Sequence, residues 1–296
     1  MGLDTELARL LLEAEQGGVR FDQCLTLGRQ HYFVGNAETR KLLTTFGKDP
    51  SRYPGLFSMK PPRYSEPFWE VLGVRQLQTL DASAFEGATV IHDLNQPVPD
   101  KLRRTFDVVL DSGTIEHVFN FPVAISNCMD MVKVGGHLLL FTTANNFFGH
   151  GFYQFSPELF YRVLNAPNGY KIERVVAVEY GPQRRNFEVA DPEVIRKRVN
   201  LINKYPVLLY VQALRLAEVP LFRTVPQQSD YVAMWQEANA ASTSSQVRRS
   251  AYVGEKLKML LIEKLPRLAR ALEAYKYSSW NREFSFRNRQ AFRRIR

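Results

Sequence analysis

The chain has 296 residues, of which 45% are hydrophobic and 17 are glycine. That is enough for one large α/β domain with an appendage, or for two small domains. Its net charge of +9 is unevenly placed: residues 246–296 hold 14 Lys and Arg against 4 Asp and Glu, leaving 25 against 26 elsewhere, so any electrostatic partner is a matter for the tail. No apolar run approaches about 18 residues, so no membrane-spanning helix is expected.

The N-terminal stretch MGLDTELARLLLEAEQGG is amphipathic and carries acids. It lacks the basic start and small-residue cleavage site of a signal peptide. Glu6 stands where a myristoylation signal needs Ser or Thr. Cys24 and Cys128 lie in apolar segments, which reads as two buried free thiols in a reducing compartment.

Strand candidates then alternate with helical stretches, the pattern of a doubly wound parallel sheet. The first strand is expected from Gln23 to Leu27, followed by a helix over roughly Ala37 to Phe46. GKDPSRYPGLFSMKPPRYS, rich in Pro and aromatics, predicts a long loop. SEPFWEVLG predicts a helix with Ser65 as N-cap and Gly73 as its stop. The second strand, QLQTL, ends at Asp81; the third, ATVIH, at Asp93; the fourth, FDVVLDS, near Ser112. A helix from Pro122 to Val132 should bury Val123, Ile125, Met129 and Val132, and the Gly pair at 135–136 should end it. HLLLFTT is the fifth strand. SPELFYRVL opens a helix with Ser156 as N-cap. YKIERVVAVEY and VLLYVQALR supply the sixth and seventh strands, and DPEVIRKRVNLIN between them predicts an inserted helix capped by Asp191.

In such a sheet, ligands bind outside the carboxyl ends of the strands near the switch in strand order. The first strand delivers Gly28, Arg29 and Gln30 to that rim. The second delivers Asp81, the third Asp93 and Leu94, and the fourth Asp111, Ser112 and Gly113, then Glu116 and His117. The fifth delivers Thr143, Asn145 and Asn146, then His150, Tyr153 and Gln154. A carboxylate ending a second strand suits the two hydroxyls of a ribose. Asp81 could also cap ASAFEG, but Asp93 beside it puts the ribose role ahead, whereas Asp93 reads equally as a cap for the turn at LNQP. His117 reads as a structural residue or as a base, His92 and His137 as packed strand residues, and His31 as a surface residue or a cofactor contact. His150, Tyr153 and Gln154 within GHGFYQF have little core work to do and point to substrate contact. There is no Cys/His zinc spacing, no Walker loop and no Ser-His-Asp order, so no metal is expected.

The stretches LTLGRQ, QTLDAS, TVIHDLNQPVP, FDVVLDSGTIEHV, MVKVGGHLLLFTTANN and GHGFYQFSPELF stand in one order from about Phe21 to Leu164. In that order and spacing the chain resembles class I S-adenosylmethionine-dependent methyltransferases, and is most similar to members met in surface-glycan gene clusters. The resemblance extends to about Ala217. It implies a Rossmann-like, seven-stranded, mostly parallel sheet with helices on both faces, and S-adenosyl-L-methionine as cofactor. It places Gly28 and Arg29 under the methionine part, Asp81 on the ribose, and Asp93 with Leu94 at the adenine; Asp111 and Ser112 join the same pocket. His150, His117 and Tyr153 are the candidate catalytic residues. The chain departs from the family in its first turn. Thr26 stands where an acid is usual, and Gln30 and Tyr32 stand where glycines are usual. The adenosine half of the site matches the family and the methionine half is altered.

The organisation expected is a methyltransferase-like domain over 1–220, a linker over 221–245 and a basic helical C-terminal extension over 246–296. In the extension, Leu257, Leu261, Leu265, Leu268, Leu272 and Tyr275 share one helical face among Lys256, Lys258, Lys264, Arg267, Arg270 and Lys276, with Pro266 dividing it. That face either docks on the domain or attaches peripherally to an anionic membrane. Three functions follow: O-methylation of a glycan or other small hydroxylated substrate, non-catalytic binding of a glycan or protein by the same fold, and RNA methylation through the tail. Nucleic acid is the least favoured partner, because the main body is neutral. The expected location is cytoplasmic, with peripheral attachment at the inner face of the membrane.

Overall fold

A computed structural model describes residues 2–241 and 259–295. Lys256, Leu257 and Lys258 of the expected helical face lie outside the described residues. We number the strands of the main sheet β1 (Gln23–Leu27), β2 (Gln76–Asp81), β3 (Val90–Ile91), β4 (Phe106–Asp111), β5 (Val132–Asn145), β6 (Tyr170–Glu179), β7 (Arg185–Val189), β8 (Val207–Arg215) and β9 (Phe292–Arg294). Their order across the sheet is β9-β7-β6-β8-β5-β4-β1-β2-β3. The first five pair in parallel. β8 inserts antiparallel between β5 and β6, and β7 and β9 extend that edge antiparallel.

The expected seven strands are therefore nine, in a mixed sheet. The two extra strands are short. β7 comes from RNFEV, which has no clear alternation against the surrounding charges, and β9 comes from the last residues of the basic tail. The helix expected over DPEVIRKRVNLIN is a single turn, Pro192–Ile195, capped by Asp191 as anticipated. The stretch expected as a linker holds a helix, Ser229–Ala241.

Helices cover both faces. On one side pack α1 (Thr5–Gln16), α2 (Asn36–Thr45) and α3 (Glu66–Val71); on the other, α4 (Phe121–Met131) and α5 (Pro157–Val163). The β-period of two divides the strands between these layers. Leu25, Leu27, Val109, Leu138 and Leu140 face α4 and α5, while Cys24, Val108, Leu110, Leu139 and Phe141 face α1 and α3. Each such side chain contributes about 1.5–3 kcal/mol by leaving water. Both cysteines are free and buried.

Local chemistry sets the element ends. Asp4 caps α1 by accepting from the Glu6 and Leu7 amides, and Ser156 caps α5 by accepting from Glu158 N at 3.1 Å. Ser65 occupies the N-cap position of α3 but makes no cap bond; its hydroxyl instead accepts from Trp69 Nε1 at 3.0 Å. In α4 the buried side is Ala124, Ile125, Cys128 and Met129, and Val123 is only half-buried. The Gly pair at 135–136 lies within β5 rather than ending a helix. A side chain at Gly136 would stand 2.7 Å from the Asp107 carbonyl, so glycine there permits the close crossing at an irregularity in the β4–β5 pairing.

Candidate functional site

The strand order reverses between β1 and β4, so their carboxyl ends open the crevice where ligands of doubly wound sheets bind. The turn leaving β1 runs through Gly28, whose φ of +70° is a conformation that favours glycine. A side-chain carbon there would stand 3.6 Å from Thr114 Oγ1, 3.7 Å from Gln30 Nε2 and 3.9 Å from Asp81 Oδ2. Thr26, where the sequence resemblance expects an acid, donates its hydroxyl to the Gly28 carbonyl at 2.9 Å. Gln30 donates to the carbonyls of Leu27 at 2.6 Å and Gly28 at 3.2 Å. Tyr32 is buried, its hydroxyl 3.0 Å from Thr39 Oγ1. The turn that further glycines would form is here stapled by side chains.

Arg29 lines the outer wall. It pairs with Glu66 at 2.6 Å, donates to the Glu86 carbonyl and lies 3.7 Å over the Tyr64 ring. This ties the helix α3 entrance to the loop after β2. His31 is half-buried between Tyr64 and Phe33 and sits 3.4 Å from Glu86. Asp81 is partly exposed at the end of β2. One carboxylate oxygen accepts from Ser83 N at 3.0 Å, and the other faces Gly28. Asp93 is exposed and forms an Asx turn, accepting from Asn95 N and Nδ2, which holds its carboxyl below the usual range. Leu94 is buried beside it. His92 touches the Gln96 carbonyl, and His137 is packed against Glu173 at the far end of the sheet.

The inner wall is the most polar part. Asp111 ends β4 fully buried, one oxygen accepting from Thr114 N at 2.9 Å and Ile115 N at 3.3 Å. Glu116 is equally buried, one oxygen accepting from Thr142 Oγ1 at 2.9 Å. Burial, and then the charge of Glu116, raises the Asp111 carboxyl well above its usual range, and burial raises Glu116 as well. His117 is largely exposed, and partial desolvation of its ring, then the charge of His150, whose ring centroid is 4.9 Å away, lower its pKa. The loop after β5 is clamped onto Glu116: its carbonyl accepts from Phe152 N at 2.7 Å and Tyr153 N at 3.2 Å. Gly151 has φ +70°, and a side chain there would stand 2.7 Å from the same carbonyl. The glycine of GHG is thus required, and it brings His150 Nε2 to 3.8 Å from Glu116 Oε1.

Five buried polar atoms at this rim find no hydrogen-bond partner among the described residues: Gln30 Oε1, Asp111 Oδ2, Ser112 Oγ, Glu116 Oε1 and His150 Nε2. Each such atom costs about 1–3 kcal/mol while unpaired, and folded proteins rarely tolerate a group of them without a ligand.

Of the residues singled out from sequence, the structure gathers Gly28, Asp81, Asp111, Ser112, His117 and His150 around the crevice. Others turn elsewhere. Asn145 and Asn146 donate to Asn203, Gln154 accepts from Phe147 N, and the Tyr153 hydroxyl donates to the Phe119 carbonyl at 2.6 Å. Sequence reasoning placed Gln30 at the rim but missed Thr114 as a wall residue. It also missed the exposed rings Phe119, Phe148 and Phe152 at the mouth, the first and last in edge contact at 5.9 Å. Their signal was aromatic residues placed among Asn and Gly in FNFP and NNFFGHGFY.

No protein-family model matches the chain, and no curated protein matches it. Among solved structures, the CMeT domain of citrinin polyketide synthase superposes with a TM-score of 0.38 at 13% identity, over 73% of this chain and 52% of that one. The branched-chain polyamine synthase of Thermus thermophilus, in complex with N4-aminopropylspermidine and 5'-methylthioadenosine, gives 0.36 at 15% identity over 76% and 61%. The trans-methyltransferase CalH in complex with SAH gives 0.37 at 10% identity over 70% and 55%. The chain thus spans between half and two thirds of the length of these three proteins.

Proposed function

We propose that the protein is an S-adenosylmethionine-dependent methyltransferase acting on an oxygen of a glycan or related hydroxylated substrate. The observation that carries this reading is the group of unpaired buried polar atoms at the switch point, beside a glycine turn and the Asp81 carboxylate. The residues fit the cofactor: Asp81 offers an oxygen for ribose hydroxyls, Leu94 an apolar wall for the adenine, and Asp111 Oδ2 an acceptor for an ammonium group in place of the acid absent at Thr26. Bound there, the cofactor supplies an electrophilic sulfonium methyl. The chain's own work is to orient the acceptor for in-line attack and to remove its proton. His150 Nε2, unpaired beside Glu116, is placed to take that proton, and Glu116 stabilises the imidazolium that results. The exposed rings of Phe119, Phe148 and Phe152 support a sugar-like acceptor, since aromatic faces pack on the apolar faces of sugar rings.

The tail supports peripheral attachment to an anionic membrane on the cytoplasmic side. Leu265, Leu268, Leu272 and Trp280 are exposed beside Lys264, Arg267, Arg270 and Lys276. Among the described residues no helix is long and apolar enough to cross a membrane.

A second reading, a non-catalytic protein of the same fold, is favoured by one observation: Thr26 is spent on the Gly28 carbonyl and offers no charge to a methionine ammonium. Calorimetric titration of the full-length protein with S-adenosylmethionine and S-adenosylhomocysteine separates the two. Micromolar binding is expected, and silence at millimolar ligand overturns the enzyme reading.

A further inference from the structure

Glu116, His117 and His150 each present a ligand atom, and the three atoms lie within 4.8 Å of one another. Two of them are orphans that face each other: Glu116 Oε1 and His150 Nε2 stand 3.8 Å apart, too far for a hydrogen bond, and neither has another partner among the described residues. A water bonded to both would hold them about 4.5 Å apart, because its two bonds of about 2.8 Å meet at a bent angle. A cation with bonds of about 2.0–2.2 Å holds its ligand atoms roughly 3–4 Å apart. The Glu116–His150 pair already has that spacing, and the ligand atom of the exposed His117 ring lies within 4.8 Å of both.

We propose that Glu116, His117 and His150 hold a divalent transition-metal ion at the mouth of the crevice. Two imidazoles and one carboxylate on one side of an ion leave its other positions open. The site is built rather than fortuitous. Thr142 orients the ligating carboxylate through its other oxygen. The Gly151 crossing and the two amide bonds to the Glu116 carbonyl fix the loop that carries His150. His137 beside Glu173 is a useful contrast, because its Nε2 is paired at 3.1 Å with no second histidine to share an ion.

The ion's role rests on the methyltransferase reading. Two neighbouring acceptor oxygens bind the open positions, and the cation lowers the pKa of one hydroxyl. That hydroxyl loses its proton to bulk water, its oxygen bonds to the methyl carbon, and the carbon–sulfur bond breaks with its electron pair left on sulfur. With the ion bound His150 is a ligand, so the proton-acceptor role given to it above belongs to the ion-free site only.

The test is chelator-stripped full-length protein titrated with Mn2+, followed by the electron paramagnetic resonance of free ion, and with Zn2+ by calorimetry. One ion per chain is expected with at least one of the two metals. Glu116→Gln and His150→Ala should each weaken binding at least tenfold, and His137→Ala should leave it unchanged. His150 is half-exposed, so its variant keeps the test valid if Glu116→Gln misfolds. Absence of saturable binding of both ions, or equal binding in the wild type and His150→Ala, overturns the proposal. Titrating S-adenosylhomocysteine into the same samples separates the claims: cofactor binding without metal binding sinks only this site, and the converse sinks only the methyltransferase reading.

Discussion

Phe292→Ala tests whether the C-terminal strand belongs to the domain. Sequence reasoning ends the domain near residue 220 and leaves the basic tail as a separable helical extension, whereas in the structure β9 closes one edge of the main sheet. Phe292 is 4% exposed. Its ring lies 5.0 Å from Phe286 and 6.5 Å from Phe187, and those two rings stack at 4.0 Å. Truncating a buried Phe to Ala costs about 3–5 kcal/mol, and an edge position puts the loss near the lower end, about 3 kcal/mol. For a chain of this size each kcal/mol moves Tm by about 2–4 °C, so Tm should fall by roughly 6–12 °C. The control is Leu268→Ala in the helix Pro266–Lys276, which has no buried residue and exposes Leu268 by 47%. It should change stability by less than about 0.5 kcal/mol. Thermal unfolding of both variants by circular dichroism, with urea titration as a second measure, decides the matter. A Phe292→Ala protein as stable as wild type, or a Leu268→Ala protein that loses more, would refute strand docking and restore the docked-helix expectation. By the same reasoning, deletion after residue 240 uncovers Phe187 and Val189 and leaves β7 as a bare edge, so that fragment should aggregate.

Asp81→Ala should weaken S-adenosylhomocysteine binding by about 1.5–3 kcal/mol, roughly ten- to a hundredfold, with Tm nearly unchanged; equal affinity by calorimetry would show that Asp81 only caps its turn. Asp111→Asn should stabilise the ligand-free protein at pH 8 and not at pH 4. The folded carboxyl titrates above its unfolded value of about 3.9, so its contribution is fully present below that pH and is lost as pH rises through the folded value. Asn keeps the acceptor for Thr114 N and Ile115 N without the charge. A variant that is less stable at pH 8 contradicts this. The full-length protein should sediment with anionic vesicles at about 0.15 M salt and be released near 1 M, where the screening length drops from about 8 to 3 Å; Leu265→Glu with Leu272→Glu should lose binding, and retention by neutral vesicles would argue against the charge.

The parallel half of the fold and its rim are decided by short-range pattern. Apolar runs such as CLTL and VVL, each followed by Gly or Asp, specify buried strands and where they end, because a side-chain period of two needs no knowledge of neighbours. That is why Gly28, Asp81 and Asp111 are legible as rim residues. What only tertiary structure decides is pairing over distance. β7 and β9 are too short and too charged to announce themselves, and they are strands because the edge of β6 supplies the hydrogen bonds of β7, β7 supplies those of β9, and Phe187 supplies a ring for Phe286 and Phe292. The same holds inside the site. Thr26, Gln30 and Thr114 close the first turn through bonds to the carbonyls of Leu27 and Gly28. Glu116 meets His150 across 34 positions of sequence only because Gly151 admits the Glu116 carbonyl at a distance that any side chain would block. A residue's type is local, but whether its polar atom is left unpaired depends on every neighbour the fold brings to it.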